Sequence, residues 1–154
     1  MRAEFQQFAN GVTSGDCIEV MAAMPPASID FILTDPPYIA RYRDRTGRSL
    51  ANDDNGDWLE PAFARMYRLL KPDRFCVSFY GWPKAERFLA AWRQAGFQIA
   101  GHLVFRKGYA SSSRYLQYRH EQAYLLRAGL PANQRTSGVA CGAVARRHGL
   151  GVHR

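Results

Sequence analysis

Four consecutive residues carry the chemistry of this chain: Asp35, Pro36, Pro37 and Tyr38. They follow the apolar run Phe31-Ile32-Leu33 and Thr34 without a break. Two prolines fix φ and offer no N–H groups, so the Pro36 carbonyl is left with no local donor. Asp35 adds carboxylate oxygens, and both acceptors can converge on one –NH2 group. Tyr38 adds a flat face beside them. The set fits a planar heterocycle with an exocyclic amine, the ring stacked on Tyr38 and the amine donating to Asp35 and the Pro36 carbonyl.

Such an amine is a poor nucleophile, because its lone pair is spread into the ring. Two acceptors on its hydrogens favour a pyramidal nitrogen and localise the pair, which is preorganisation aimed at charge developing during attack. A base inside a duplex is out of reach and has to be flipped out. The plain alternative is a turn after a strand, and Pro-Pro-Tyr alone also occurs in linkers and ligand motifs. The full run from apolar strand to tyrosine is the more specific signal.

Basic residues follow the motif at Arg41, Arg43, Arg45 and Arg48. A second group, Arg106, Lys107, Arg114 and Arg119, alternates with Tyr109, Tyr115 and Tyr118. Arginines neutralise phosphates, and tyrosines fill or stack. Arg41, Arg43, Lys107, Arg114, Tyr115 and Arg119 are the candidate DNA contacts; a solvated loop is the competing reading, and Lys107 has a structural alternative in an ion pair with Glu121. His102 reads as a satisfied core histidine and His120 as structural. Trp58, Trp82 and Trp92 read as core or helix-surface aromatics. Cys17, Cys76 and Cys141 form no CxxC pair and no zinc-spaced cluster, so neither a metal nor a disulfide framework is expected.

The elements that must position these groups read as alternating helices and strands. Asp16 is a plausible N-cap for a helix over "CIEVMAAM", which "PPAS" breaks. Ile29 to Thr34 is a short buried strand. Residues 39–56 are polar, without period, and read as a long loop. "WLEPAFARMYRLL" puts Leu59, Phe63, Met66, Leu69 and Leu70 on one helix face, with Asp57 as cap and "KPD" as stop. "RFCVSFY" is a strand, and "PKAERFLAAWRQAG" is a helix with Pro83 in its first turn and Gly96 at its end. "FQIAGHLVF" is a third strand, "RKGYASSSRYLQYR" a basic connector, and "EQAYLLRA" a fourth strand. This rhythm predicts an α/β sheet, and in such sheets binding groups gather at the carboxyl ends of strands, where Asp35 to Tyr38 sit.

The chain's 154 residues, 47% of them hydrophobic, suffice for one domain with a core. No apolar run has membrane-spanning length and no secretory leader is evident, so a soluble, cytoplasmic protein is expected. The net charge of +8 suits a polyanionic partner. Half of that excess lies in residues 133–154, which hold Arg135, Arg146, Arg147 and Arg154 and no acid. This segment has neither strand pattern nor amphipathic period. It is expected to be a disordered or frame-shifted tail, leaving residues 1–132 as the domain.

"SGDCIEVMAAMPPASIDFILTDPPY" resembles the opening of the amino-group DNA methyltransferases, the N6-adenine and N4-cytosine enzymes that use S-adenosylmethionine. The similarity is to the arrangement in which the catalytic motif precedes the cofactor motif. "LKPDRFCVSFYGW" and "VFRKGYASSSRYLQYRHEQAYLLRAG" resemble the segments that follow, so the match runs over about residues 12 to 130. The resemblance implies a partial Rossmann-like methyltransferase sheet with flanking helices, and double-stranded DNA as partner. It implies catalysis and base holding by Asp35, Pro36, Pro37 and Tyr38, and cofactor contacts by Asp35 and Asp16. An aspartate opening the motif goes more often with adenine. The family's glycine-rich Asp-Pro-Phe cofactor motif has no counterpart here. The chain therefore reads as the catalytic and base-binding half, expected to expose apolar surface and not to turn over as given. A non-catalytic DNA-binding remnant and an amine or amide methyltransferase of RNA or protein are the alternatives.

Overall fold

The computed structural model describes residues 8–41, 46–112 and 115–129. Helix α1 (Cys17–Ala23) starts at Asp16, whose carboxylate accepts from the Ile18 amide at 2.7 Å. Its carboxyl end is held from outside: Arg68 Nη2 donates to the carbonyls of Met21 at 2.6 Å and Met24 at 2.9 Å. These are carbonyls that a helix end leaves without partners of its own.

Strand β1 (Ile29–Thr34) runs parallel to β2 (Leu70–Phe79), and helix α2 (Leu59–Leu69) lies between them in sequence. α2 buries Leu59, Ala62, Phe63, Met66 and Leu69, the helical face expected from the spacing. Its cap differs from expectation. The N-cap position falls on Trp58, whose side chain makes no capping bond and donates instead to the Asn52 carbonyl, and Asp57 donates its own amide to Asn55 Oδ1. The stop differs too, because Leu70-Lys71-Pro72-Asp73 already belongs to β2. Proline is tolerated there near the start of a strand.

A 3-10 turn (Trp82–Lys84) leads into α3 (Ala85–Ala95), so Pro83 initiates the turn rather than the α-helix itself. α3 ends at Gly96, whose φ of 102° is left-handed; a Cβ there would also meet the Tyr67 ring at 3.1 Å. Strands β3 (Gln98–Ser112) and β4 (Gln117–Arg127) form an antiparallel pair, and the sheet order is β1-β2-β4-β3. The expected basic connector over 106–119 is therefore mostly strand: Arg106 pairs with His120 and, after an irregularity, Ser111 with Tyr118. Much of this ribbon is exposed, which removes the in-out alternation that marks a strand in sequence.

The core lies where α2 and α3 pack on the sheet, around Phe63, Cys76, Phe88, Trp92 and Leu126, all without exposure. Trp92 is thus the core aromatic its helix suggested. Among the described residues β1 pairs only with β2, and no residue of it is buried. Phe31 and Leu33 are 54% and 65% exposed, so the strand is not the buried one its apolar run suggested, and the chain exposes apolar surface as the missing cofactor half implied. No helix among the described residues is long and apolar enough to cross a membrane. The tail over 133–154 lies outside the described residues, as does Cys141.

Candidate active site

Because β1 and β2 are parallel, their carboxyl ends arrive together, with Thr34 level with Ser78. Asp35 to Tyr38 leave the first and Tyr80-Gly81-Trp82 the second. The two turns touch: a Cβ built on Gly81 would lie 2.7 Å from both Cβ and the carbonyl oxygen of Tyr38. Only glycine permits that approach.

Within the motif, the Tyr38 hydroxyl donates to Asp35 Oδ1 at 2.7 Å. Burial of the ring, and then this bond to the carboxylate, raise the Tyr38 pKa well above the ordinary tyrosine value. Pro36 is buried, and no donor among the described residues takes its carbonyl. After Tyr38 the backbone is strained, with Ile39 and Arg41 at φ of 58° and 53°. A β-branched residue in that region is a genuine outlier that its surroundings must hold. Asp53, only 2% exposed, does so: its Oδ1 accepts from the Ala40 amide at 3.1 Å and its carbonyl from the Arg41 amide at 3.0 Å.

Two cavities adjoin the motif and share Tyr38, Ala40 and Glu121. The larger, about 650 Å³, is walled by Asp35, the prolines, Leu50, Asp53 and Phe79. Its carboxylates and apolar walls suit a group that is both cationic and apolar. The smaller, about 260 Å³, lies toward β4 and is walled by Tyr80, Trp82, Tyr118, His120 and Gln122, with Lys107. Lys107 Nζ donates to Glu121 Oε1 at 2.5 Å, the structural pairing foreseen, and this bond raises the lysine pKa. Behind this cavity runs a polar chain. Tyr80 Oη donates to Gln122 Oε1 at 2.7 Å and meets His102 Nε2 at 3.2 Å, while Gln122 Nε2 meets His120 Nε2 at 2.9 Å. With the Tyr80 proton given to Gln122, His102 has to be the donor to Tyr80, and the Gln122 amide leaves His120 Nε2 as acceptor. His102 is thus bonded as foreseen but exposed rather than in the core.

The expected residues separate into groups. Asp35, Pro36, Pro37 and Tyr38 meet at one site. Asp16 caps α1 and lines neither cavity. Lys107 lines the smaller cavity. Arg41 is exposed just past the motif, and Arg119 and Tyr115 are exposed on the β3–β4 ribbon, Tyr115 by 82%. Arg43 and Arg114 lie outside the described residues. No cluster of metal-ligating side chains occurs among the described residues. Sequence reasoning missed Gly81, Trp82, Gln122 and Asp53. The run "FYGWPK", a strand ending in glycine and an aromatic, was the available signal for the first two.

The model of the N6/N4 methyltransferase family, described as "DNA methylase", matches residues 29–136. The chain belongs to this DNA methylase family. It is 56% identical over 118 residues to "Putative methylase YubD" of Escherichia coli (strain K12), which covers 77% of this chain and 52% of YubD. Among solved structures, the PvuII DNA methyltransferase (cytosine-N4-specific) superposes with a TM-score of 0.58 at 19% identity, over 74% of this chain and 47% of that one. TTHA0409 of Thermus thermophilus, complexed with S-adenosyl-L-methionine, gives 0.55 at 21% identity, over 76% and 52%. These likenesses carry the methyltransferase fold. The chain spans about half the length of YubD and of these structures.

Proposed function

We propose that this chain carries the catalytic and base-holding part of an S-adenosylmethionine-dependent DNA methyltransferase acting on the exocyclic amine of a flipped base, with adenine the preferred target. The observation that carries the reading is the join of Asp35-Pro36-Pro37-Tyr38 to an open cavity at the carboxyl end of β1. Asp35 and the Pro36 carbonyl accept from the amine, and the Tyr38 ring takes the base face. The acidic and apolar walls of the larger cavity fit a sulfonium; Asp35 is the group that would face it, with Phe79 and Leu50 alongside. S-adenosylmethionine supplies an electrophilic methyl group when bound. The chain's own residues localise the nitrogen lone pair, fix the ring and hold the amine proton at Asp35. Arg41, Tyr115 and Arg119, exposed beside the motif and on the β3–β4 ribbon, are the residues assigned to double-stranded DNA, with Lys107, Arg43 and Arg114 assigned with them from sequence. A DNA-binding role without catalysis is the second reading, favoured by the Asp16 side chain serving a helix cap.

The test is a chimera in which residues 12–130 replace the corresponding segment of YubD. Labelled methyl transfer to DNA, matching parental YubD and lost on Asp35→Ala, is expected. A folded chimera that keeps its activity without Asp35 would remove the assignment.

A further inference from the structure

Trp82 is a large aromatic left 58% exposed, yet its backbone is fixed from both sides. Gly81 is pressed against Tyr38, Pro83 follows in the 3-10 turn, and the Lys84 amide closes that turn onto the Gly81 carbonyl at 2.9 Å. The Trp82 ring lies against Tyr118 of β4, centroids 5.8 Å apart and planes 32° from parallel. Both rings line the 260 Å³ cavity that begins at Tyr38. A rigid, paired and exposed aromatic surface is costly to leave in water and marks a binding face. The remaining lining carries hydrogen-bonding groups already oriented, Gln122 by Tyr80 and His120 by Gln122. Arg106 and Arg119 lie exposed on the same ribbon, which favours an anionic ligand.

We infer that the Trp82–Tyr118 pair is a stacking platform for an unpaired nucleobase, with Gln122 positioned to meet the base edge. The inference rests on the nucleic-acid reading above for the class of ligand, and adds to it a second aromatic surface besides Tyr38. Aromatic platforms beside basic strands hold single strands in this way, and each stacked base is a separable contribution.

The chain itself is titrated, by fluorescence anisotropy, with short labelled single strands of dA, dC or dT and with an abasic strand of equal charge. Wild type should bind base-bearing strands more tightly than the abasic one. Trp82→Ala should weaken binding to base-bearing strands by about fivefold to a hundredfold, the range of one aromatic–base stack, and leave the abasic strand unchanged. Trp82→Phe should restore most of the loss, and circular dichroism should show all variants folded. Equal loss on base-bearing and abasic strands would overturn the inference, as would wild-type binding by folded Trp82→Ala. If Tyr38→Ala still weakens base-bearing strands in that last case, only the platform is lost. If neither variant matters, the nucleobase reading of the whole site falls with it.

Discussion

Tyr38 and Asp35, three residues apart, are joined by a hydrogen bond of 2.7 Å from the phenol to the carboxylate. The residue assigned to take the base face is therefore also bonded to the residue assigned to take the amine. One carboxylate oxygen is shared before any ligand arrives, and the ring is oriented by the same bond.

Tyr38→Phe separates the two roles, because it keeps the ring and removes the donor. Binding of single strands should stay within about threefold of wild type. Tyr38→Ala should lose about 1–3 kcal/mol on the same strands, the size of one base–aromatic stack. Equal losses for both variants would show that the hydroxyl, not the ring, makes the contact.

The pH dependence follows from the raised Tyr38 pKa. The folded value lies above the unfolded one. The stability that the phenol contributes is therefore complete below the ordinary tyrosine range and lost as pH rises through the shifted value. Burial raises the Tyr80 phenol as well, so a tyrosinate absorbance titration should show late phenols in wild type and one fewer in Tyr38→Phe. Asp35→Asn should move the Tyr38 phenol to lower pH, since the carboxylate opposes formation of a phenolate beside it.

Asp53 holds the strained turn after Tyr38. Asp53→Ala removes the acceptor of the Ala40 amide, a part-buried bond, and should destabilise the fold by about 0.5–1.5 kcal/mol, the net contribution of one hydrogen bond. Denaturant unfolding checks the magnitude. Asp53→Asn, which keeps an acceptor in place, should recover most of it.

Gly81→Ala places a methyl group 2.7 Å from Tyr38 backbone and Cβ atoms. Backbone is the obstacle, so side-chain rotation gives no relief, and a loss of about 1–3 kcal/mol is expected from overpacking. Trp82 emission should shift as its turn moves off Tyr38. Unchanged melting and emission would mean the two turns are not in contact.

These residues also separate what sequence can carry from what it cannot. Asp35 to Tyr38 act as neighbours in the chain, and an apolar strand ending in prolines is a local pattern, so both were legible. The α2 and α3 faces were legible for the same reason, their spacing being a property of one helix. Gly81 and Asp53 matter through contacts with distant segments, and nothing in "FYGW" or "NDDN" states which backbone lies close by. The 106–119 ribbon misled because its solvated faces erase alternation. Trp82 was legible only as a core or helix-surface aromatic, because its contact with Tyr118 joins segments distant in the chain.

The strand order β1-β2-β4-β3 has a kinetic side. β4 is the last of the four to leave the ribosome, yet it sits between β2 and β3. Until Gln117–Arg127 emerge, β2 has β1 on one side and no partner on the other, and β3 has none at all. Leu126, fully buried, reaches the core only then. A nascent chain halted between β3 and β4 would present the free edge of β2 together with both edges of β3, the condition under which strands pair with the wrong molecule. Synthesis speed through residues 113–127 should therefore govern how much of the protein reaches its native form.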